Sequence, residues 1–326
     1  MSEQAVTAQP RDETVKGILF LLLAIAIFSI QDVIVKEMST SYPVLEFVFG
    51  RSLASLLPVI FLVWLETRGK GFTTKRPLFH AARGFIMLLA YTTYYLAVAS
   101  MPLAAAVAVF FAGPLFVTAI SAIFMGEQVG PRRWTAVVVG FIGVLVVMRP
   151  DIDDMDLGAI FAVASAFFYA ISVVMTRSLG RTESGASMVL SQSLIYLLFS
   201  GLAGLAMQDI AVDRDAHAGI QFLLRGWIIP DWEGIGLMVL CGLIATIGFY
   251  GIAQAYRIGA SSAVAPFEYS GILWGTFWGF VIWTEVPDFW TIVGIVIIVG
   301  SGIYVLRREA QVGRKVVTGR SLRNRM

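Results

Sequence analysis

Two acids and an arginine stand where an apolar chain accommodates charge worst. Asp32 lies near the end of the first long apolar stretch, Arg51 about eight residues into the second, and Glu268 inside the stretch from Ser261 to Trp283. An ionisable group in such a segment costs several kcal/mol unless it is paired, so each is a functional-site candidate. Asp32 precedes Lys36 by four residues, a spacing that permits a simple helical ion pair; otherwise Asp32 is a candidate for proton coupling, a role for which Glu268 competes. Arg51 follows Glu46 by five residues and can pair with it only approximately. Its other reading is a planar donor fork for the oxygens of a solute. Glu268 shares a helix face with Gly271, Gly275 and Gly279, while Phe267, Trp274 and Trp278 form the neighbouring stripe. Those glycines and rings either pack a partner helix and face lipid or line a solute cavity.

A second group is polar and aromatic. Tyr91, Thr92, Thr93, Tyr94 and Tyr95 fall midway along the third apolar stretch. Tyrosines of an interfacial belt sit at span ends. Mid-span tyrosines need hydrogen-bond partners, which a cavity lining supplies. Tyr250 and Gln254 form a weaker i, i+4 pair in the eighth stretch. Catalytic chemistry is poorly provided for. His80 sits at a helix end and His217 in a loop among aspartates without metal-ligand spacing. Cys241 has no histidine near it in sequence, and no GxxxxGK[ST] phosphate loop occurs. We therefore expect no enzyme, no metal and no cofactor.

The elements that must position these groups are membrane spans. Hydrophobic residues make up 58% and charged residues 14% of the 326, with mean hydropathy +0.80. A soluble domain carries nearly twice that share of charge. The lone cysteine excludes an internal disulfide. The pattern predicts an all-α integral membrane protein with ten spans, roughly 17–35, 43–65, 78–99, 103–124, 134–148, 157–179, 187–207, 234–256, 261–283 and 289–306. Lys16 opens the first as an uncleaved signal anchor. With the N-terminus inside, 19 of the 24 lysines and arginines fall on the cytoplasmic side and four outside. The positive-inside rule and the even span count thus agree on two cytoplasmic termini. The basic tail, residues 309–326, is expected to lie against an anionic leaflet and not on nucleic acid.

The chain also repeats. Gly17, Phe20, Ile30, Val33 and Lys36 align with Gly158, Phe161, Ile171, Val174 and Arg177 at an offset of 141. The same offset places Arg51 over Gln192. At an offset of 158, Gly113 and Glu127 align with Gly271 and Glu285. Glu127 and Glu285 would cap or pair at helix ends. We read two five-span units, 17–149 and 157–308, after a cytoplasmic tail of residues 1–16 and joined near Arg149-Pro150-Asp151. An odd span number inverts the second unit, the plan of secondary transporters with a site at the midplane between halves.

On these residues the chain resembles the EamA-type members of the drug/metabolite transporter superfamily, ten-span bacterial inner-membrane carriers. The resemblance is carried by Arg83, by Tyr95 to Pro102, by Ala104-Ala105-Ala106, by Pro114 and by Gly126-Glu127. It is carried again by Ala253 to Pro266 and by Glu285. One departure is Thr284 where a glycine is usual. The resemblance implies alternating access in a bacterial inner membrane, with gradients setting net flux. The whole-chain look is closest to riboflavin-uptake carriers; S-adenosylmethionine carriers and amino-acid or drug exporters share the fold. The implied partner is a small planar heterocyclic metabolite. The expected site combines Arg51, Tyr91, Tyr94, Gln192, Gln254, Glu268, Trp274 and Trp278, with Asp32 or Glu268 as the proton-coupling group. A non-transporting membrane scaffold is the reading of another class. Oligomeric state is left open.

Overall fold

Backbone and packing are taken from a computed structural model, which describes the chain outside residues 1–10, 69–73, 75, 125–128, 150–155, 180–183, 211, 214, 259–263 and 324–326. Glu127, residues 1–10 of the N-terminal tail and the Pro150-Asp151 joint therefore lie outside the described residues. So does the end of the basic tail, and the side chain of Arg177 is likewise not described.

Among the described residues every regular element is a helix. The first half holds α1 (Arg11–Met38), α2 (Val44–Thr67), α3 (Pro77–Ser100), α4 (Leu103–Phe110), α5 (Gly113–Phe124) and α6 (Pro131–Met148). The second holds α7 (Leu157–Leu179), α8 (Gly185–Met207), the short α9 (Ala218–Leu224), α10 (Trp232–Ile258), α11 (Ser270–Trp283) and α12 (Phe289–Arg323). Prolines at the first turns of α3 and α6 cost no hydrogen bond there and preset the backbone angle. Ser184 caps α8 by accepting from the Ser187 amide.

Among the described residues, nine segments are long and apolar enough to cross a bilayer, by length and composition. The expected ninth span, 261–283, is not one of them. Its described part is a 3-10 turn, Ala265–Tyr269, followed by the 14-residue α11. At about 1.5 Å per residue α11 covers only about two thirds of a hydrocarbon core roughly 30 Å thick. Pro266 at the start of the turn disfavours a continuous helix. The fourth span is interrupted too, between α4 and α5 at Phe111-Ala112. Pro114 has no amide to give Phe110 and so cannot continue α4. At the 158 offset these two breaks fall on one another, Phe111 over Tyr269 and Ala112 over Ser270.

Helix pairing joins the two halves everywhere. α1 packs on α10 and α7 on α3, α2 lies on α8, α6 on α12, and α4 on α11. Within a bilayer, close approach of backbones carries much of this packing. Gly242 shows why: a Cβ built there would stand 2.7 Å from the Arg51 carbonyl and 2.8 Å from Ala54 Cβ. Only a glycine lets α10 lie this close to α2. The main core runs through the centre, with Tyr95, Phe47 and Leu103 wholly buried.

Candidate functional site

A cavity of about 1480 Å³ lies between the halves. Its inner wall is formed by Phe28, Asp32, Tyr94, Phe110 and Tyr169, and by Glu268 in the 3-10 turn. From there the wall runs to Glu66 on α2, Arg133 on α6, Gly185 on α8 and Leu306 on α12. Those residues share the end of the bundle at which α1 begins. None of the described lining residues comes from the loops at the opposite end, where α1 finishes.

The opposite end is tied shut. Lys36 Nζ binds Glu285 Oε1 at 2.5 Å and the Met101 carbonyl at 3.1 Å. The second Glu285 oxygen accepts from the Leu103 amide at 2.9 Å. Lys36 also lies 4.9 Å from the Trp283 ring centre. Three junctions, after α1, between α3 and α4, and between α11 and α12, meet at these two side chains. The same end carries the Arg149–Asp288 ion pair and a bond from Tyr42 to Asp231 at 2.8 Å. Arg149 first, then Thr291, holds the Asp288 carboxyl well below the usual carboxylate range. The Gly234 amide, then Tyr42, lowers Asp231.

Two matching triads adjoin the cavity, with Gln31, Arg83 and Gln192 on its wall. Arg51 Nη1 donates to Gln31 Oε1 at 3.3 Å, and Gln31 Nε2 donates to the Tyr95 hydroxyl at 3.0 Å. Arg83 Nη1 donates to Gln192 Oε1 at 3.3 Å, and Gln192 Nε2 donates to the Tyr196 hydroxyl at 3.2 Å. The Arg51 guanidinium lies 5.4 Å from the Tyr91 and Tyr95 ring centres and 5.7 Å from Tyr196. Cation–π contact is worth most where water is excluded, and Arg51 is only 3% exposed.

The expected site residues divide. Asp32, Tyr91, Tyr94, Gln192, Gln254 and Glu268 all line the cavity. Arg51 does not; it is enclosed behind Gln31 and the tyrosines. Glu46 does not pair with it, because Glu46 Oε2 accepts from the Ile228 amide at 3.0 Å. Nor does Asp32 pair with Lys36, which is taken by Glu285. Trp274 and Trp278 do not line the cavity. Gly271, Gly275 and Gly279 turn inward against Phe111, Val107 and Glu285. The indoles, rotated off that face, lie over α1: Trp278 Nε1 donates to Ser29 Oγ at 2.9 Å, and Trp274 packs by Leu21 and Ile25.

Arg83 was the residue easiest to misplace. It is six residues past the start of α3, 4% exposed, and on the cavity wall. Its Nη2 donates to the Met188 carbonyl at 2.7 Å. The sequence signal was depth within the helix beginning at Pro77. Phe28 and Tyr169 are a second omission. They occupy equivalent places at the 141 offset, and both reach the wall.

Helices paired across two halves, two broken spans and a central cavity sealed at one end define a multi-pass membrane protein of the solute-carrier class. Residues 15–149 match the EamA-like transporter family. It is 25% identical to the S-adenosylmethionine uptake transporter of Rickettsia prowazekii, over 90% of this chain and 93% of that one. It is also 25% identical to the riboflavin transporter of Vibrio cholerae, over 92% and 96%. Identity to the pseudopaline exporter CntI of Pseudomonas aeruginosa is 28%, over 90% and 96%. One solved crystal structure aligns with a TM-score of 0.60 at 18% identity, covering 90% of this chain and 97% of that chain, a likeness of fold alone. The family and these relatives are transporters, not enzymes.

Proposed function

We propose that the chain is a ten-span secondary carrier of a bacterial inner membrane, with both termini cytoplasmic and two inverted repeats, 17–149 and 157–308. The observation that carries this reading is the cavity: it reaches one end of the bundle and is closed at the other by Lys36–Glu285. A solute carrier needs such a one-sided chamber at each stage of alternating access. The broken spans add support. Discontinuous helices at matching places in two halves are where carrier folds put the solute. Opening would separate Lys36 from Glu285 while the helices beside Glu66 and Gly185 converge. In the positive-inside orientation the chamber faces the cytoplasm.

The solute is a small, planar heterocyclic metabolite bound between Asp32, Tyr91, Tyr94, Gln192, Gln254 and Glu268. Arg51 holds Tyr91 and Gln31 in place from behind; Trp274 and Trp278 steady α11 against α1. Riboflavin is the reading drawn from the whole-chain resemblance. S-adenosylmethionine is favoured by one observation, two acids on the chamber wall. Liposomes with the purified protein, loaded with either solute, test both by counterflow of the labelled compound. Saturable exchange above empty liposomes supports the carrier. No exchange of either by correctly inserted protein would remove both solutes.

A further inference from the structure

Resting on the carrier reading, we infer that the solute carries an oxyanion, a carboxylate or a phosphate, and that Arg133 and Ser121 receive it where α5, α6 and α12 wall the cavity. Arg133 is 8% exposed and Ser121 1%, and both line the cavity. The three helices meet at Gly140, where a built Cβ would stand 2.2 Å from Leu115 Cδ1 and 2.6 Å from Ser301 Oγ. From that level Arg133 lies seven residues back along α6, about 10 Å, and Ser121 six residues beyond Leu115 on α5, about 9 Å. Leu306, five residues beyond Ser301 on α12, is also on the wall. The Arg149–Asp288 pair joins the far end of α6 to the start of α12. The three side chains therefore come to one depth, toward the open end.

Neither polar group is spent on the fold. Among the described residues Arg133 makes no side-chain hydrogen bond or ion pair, and Ser121 Oγ is buried with no partner. An unpaired buried guanidinium is costly. Its place adds to the cost. Arg133 is the third residue of α6, at the positive end of the helix dipole, and the first turn holds no acid and no side-chain cap. An oxyanion offsets the dipole and the guanidinium together, and the planar fork fits carboxylate or phosphate edge-on. Arg83 adds a further unmet donor on the same wall, its buried Nε. Glu66, the acid on the wall near this end, already accepts from the Ala186 amide at 3.0 Å.

The test compares ligands that differ by one oxyanion. Riboflavin 5′-phosphate and riboflavin are one pair; S-adenosylmethionine and its decarboxylated form are another. Binding to the full chain in phosphatidylcholine nanodiscs is expected to be about tenfold tighter for the anion-bearing member of one or both pairs. Arg133→Ala is expected to erase that preference and leave the other member's affinity within about twofold, which a merely structural arginine would not do. Arg133→Lys should retain part of the preference, and Ser121→Ala should weaken it. Equal binding within both pairs, or a preference that survives Arg133→Ala, overturns the inference. Should Arg133→Ala fail to fold, Arg133→Lys, Ser121→Ala and the wild-type ratios decide. The same oxyanion could belong to a leaflet lipid. Phosphatidylglycerol retained by the wild type and lost from Arg133→Ala, with no preference among solutes, would assign the pocket to lipid and overturn the inference. Saturable counterflow of riboflavin with no gain from its phosphate or from the carboxylate overturns it too, and leaves the carrier standing. If none of these solutes binds or moves with folded protein, both fall.

Discussion

The Arg51 and Arg83 triads are built alike and placed differently. Each couples an arginine to a glutamine at 3.3 Å, and each glutamine to a tyrosine. Arg51 is walled in by three tyrosine rings, whereas Arg83 borders the cavity. The difference teaches that a buried charge in a membrane span is not by itself a ligand contact. Arg51 holds its charge on ring faces and one amide, and so organises the wall that a solute would touch. Arg83 joins α3 to α8 and has a surface on the chamber.

Exchanging these roles should fail, most visibly at Arg51. Arg51→Ala is expected to cost about 3 kcal/mol or more, through the lost ring contacts, the stranded Gln31 and the space left behind. Reduced yield of monodisperse protein and a lower melting temperature would register it. Arg83→Ala should cost less, about 1–3 kcal/mol, and should change solute affinity where Arg51→Lys does not. If Arg83→Ala melts as low as Arg51→Ala and leaves affinity untouched, the contrast collapses.

The sealed end and the open end of the chamber make a second contrast, and Lys36 tests it. In a Cys241→Ser background, a cysteine at Ser29 on the cavity wall should resist impermeant maleimides added from the Lys36 side. Lys36→Ala should raise that labelling rate about tenfold, an opening of about 1.4 kcal/mol. Unchanged labelling would show that other contacts close this end.

Acid should loosen the same end. Asp231 and Asp288 have carboxyls held below their ordinary range by hydrogen bonds made in the folded state. A depressed folded pKa gives stability above the unfolded value, near 3.8, and loses it as pH falls through the folded one. The melting temperature should therefore drop more steeply below about pH 4 in the wild type than in an Asp231→Asn variant. Parallel curves would remove Asp231 from the account.

The smallest effect belongs to Thr284, which closes α11 with φ 57°, a left-handed conformation costly for a β-branched residue. Thr284→Gly should raise stability by about 1 kcal/mol without altering solute affinity. A fall in melting temperature would mean that the threonine side chain contributes more than its backbone costs.

Much of this was legible in the residues alone. Hydropathy fixed the helical membrane class, because a span must satisfy its own backbone and present apolar side chains over about 20 residues. The 141 and 158 offsets are the ground for expecting two related units, and the mid-span groups Asp32, Tyr91, Tyr94 and Glu268 do reach the cavity wall. Local spacing could not say which way Arg51, Trp274 and Trp278 turn. Their surroundings come from α3, α8 and α1, residues distant in sequence. Lys36 shows the same limit: four residues from Asp32, it binds Glu285, 249 positions away. A sequence sets helical periodicity and intrinsic breaks such as Pro114 and Pro266. Which charges meet, and which reach the chamber, is decided only when the two halves pack, since that packing sets what each side chain can exclude from water.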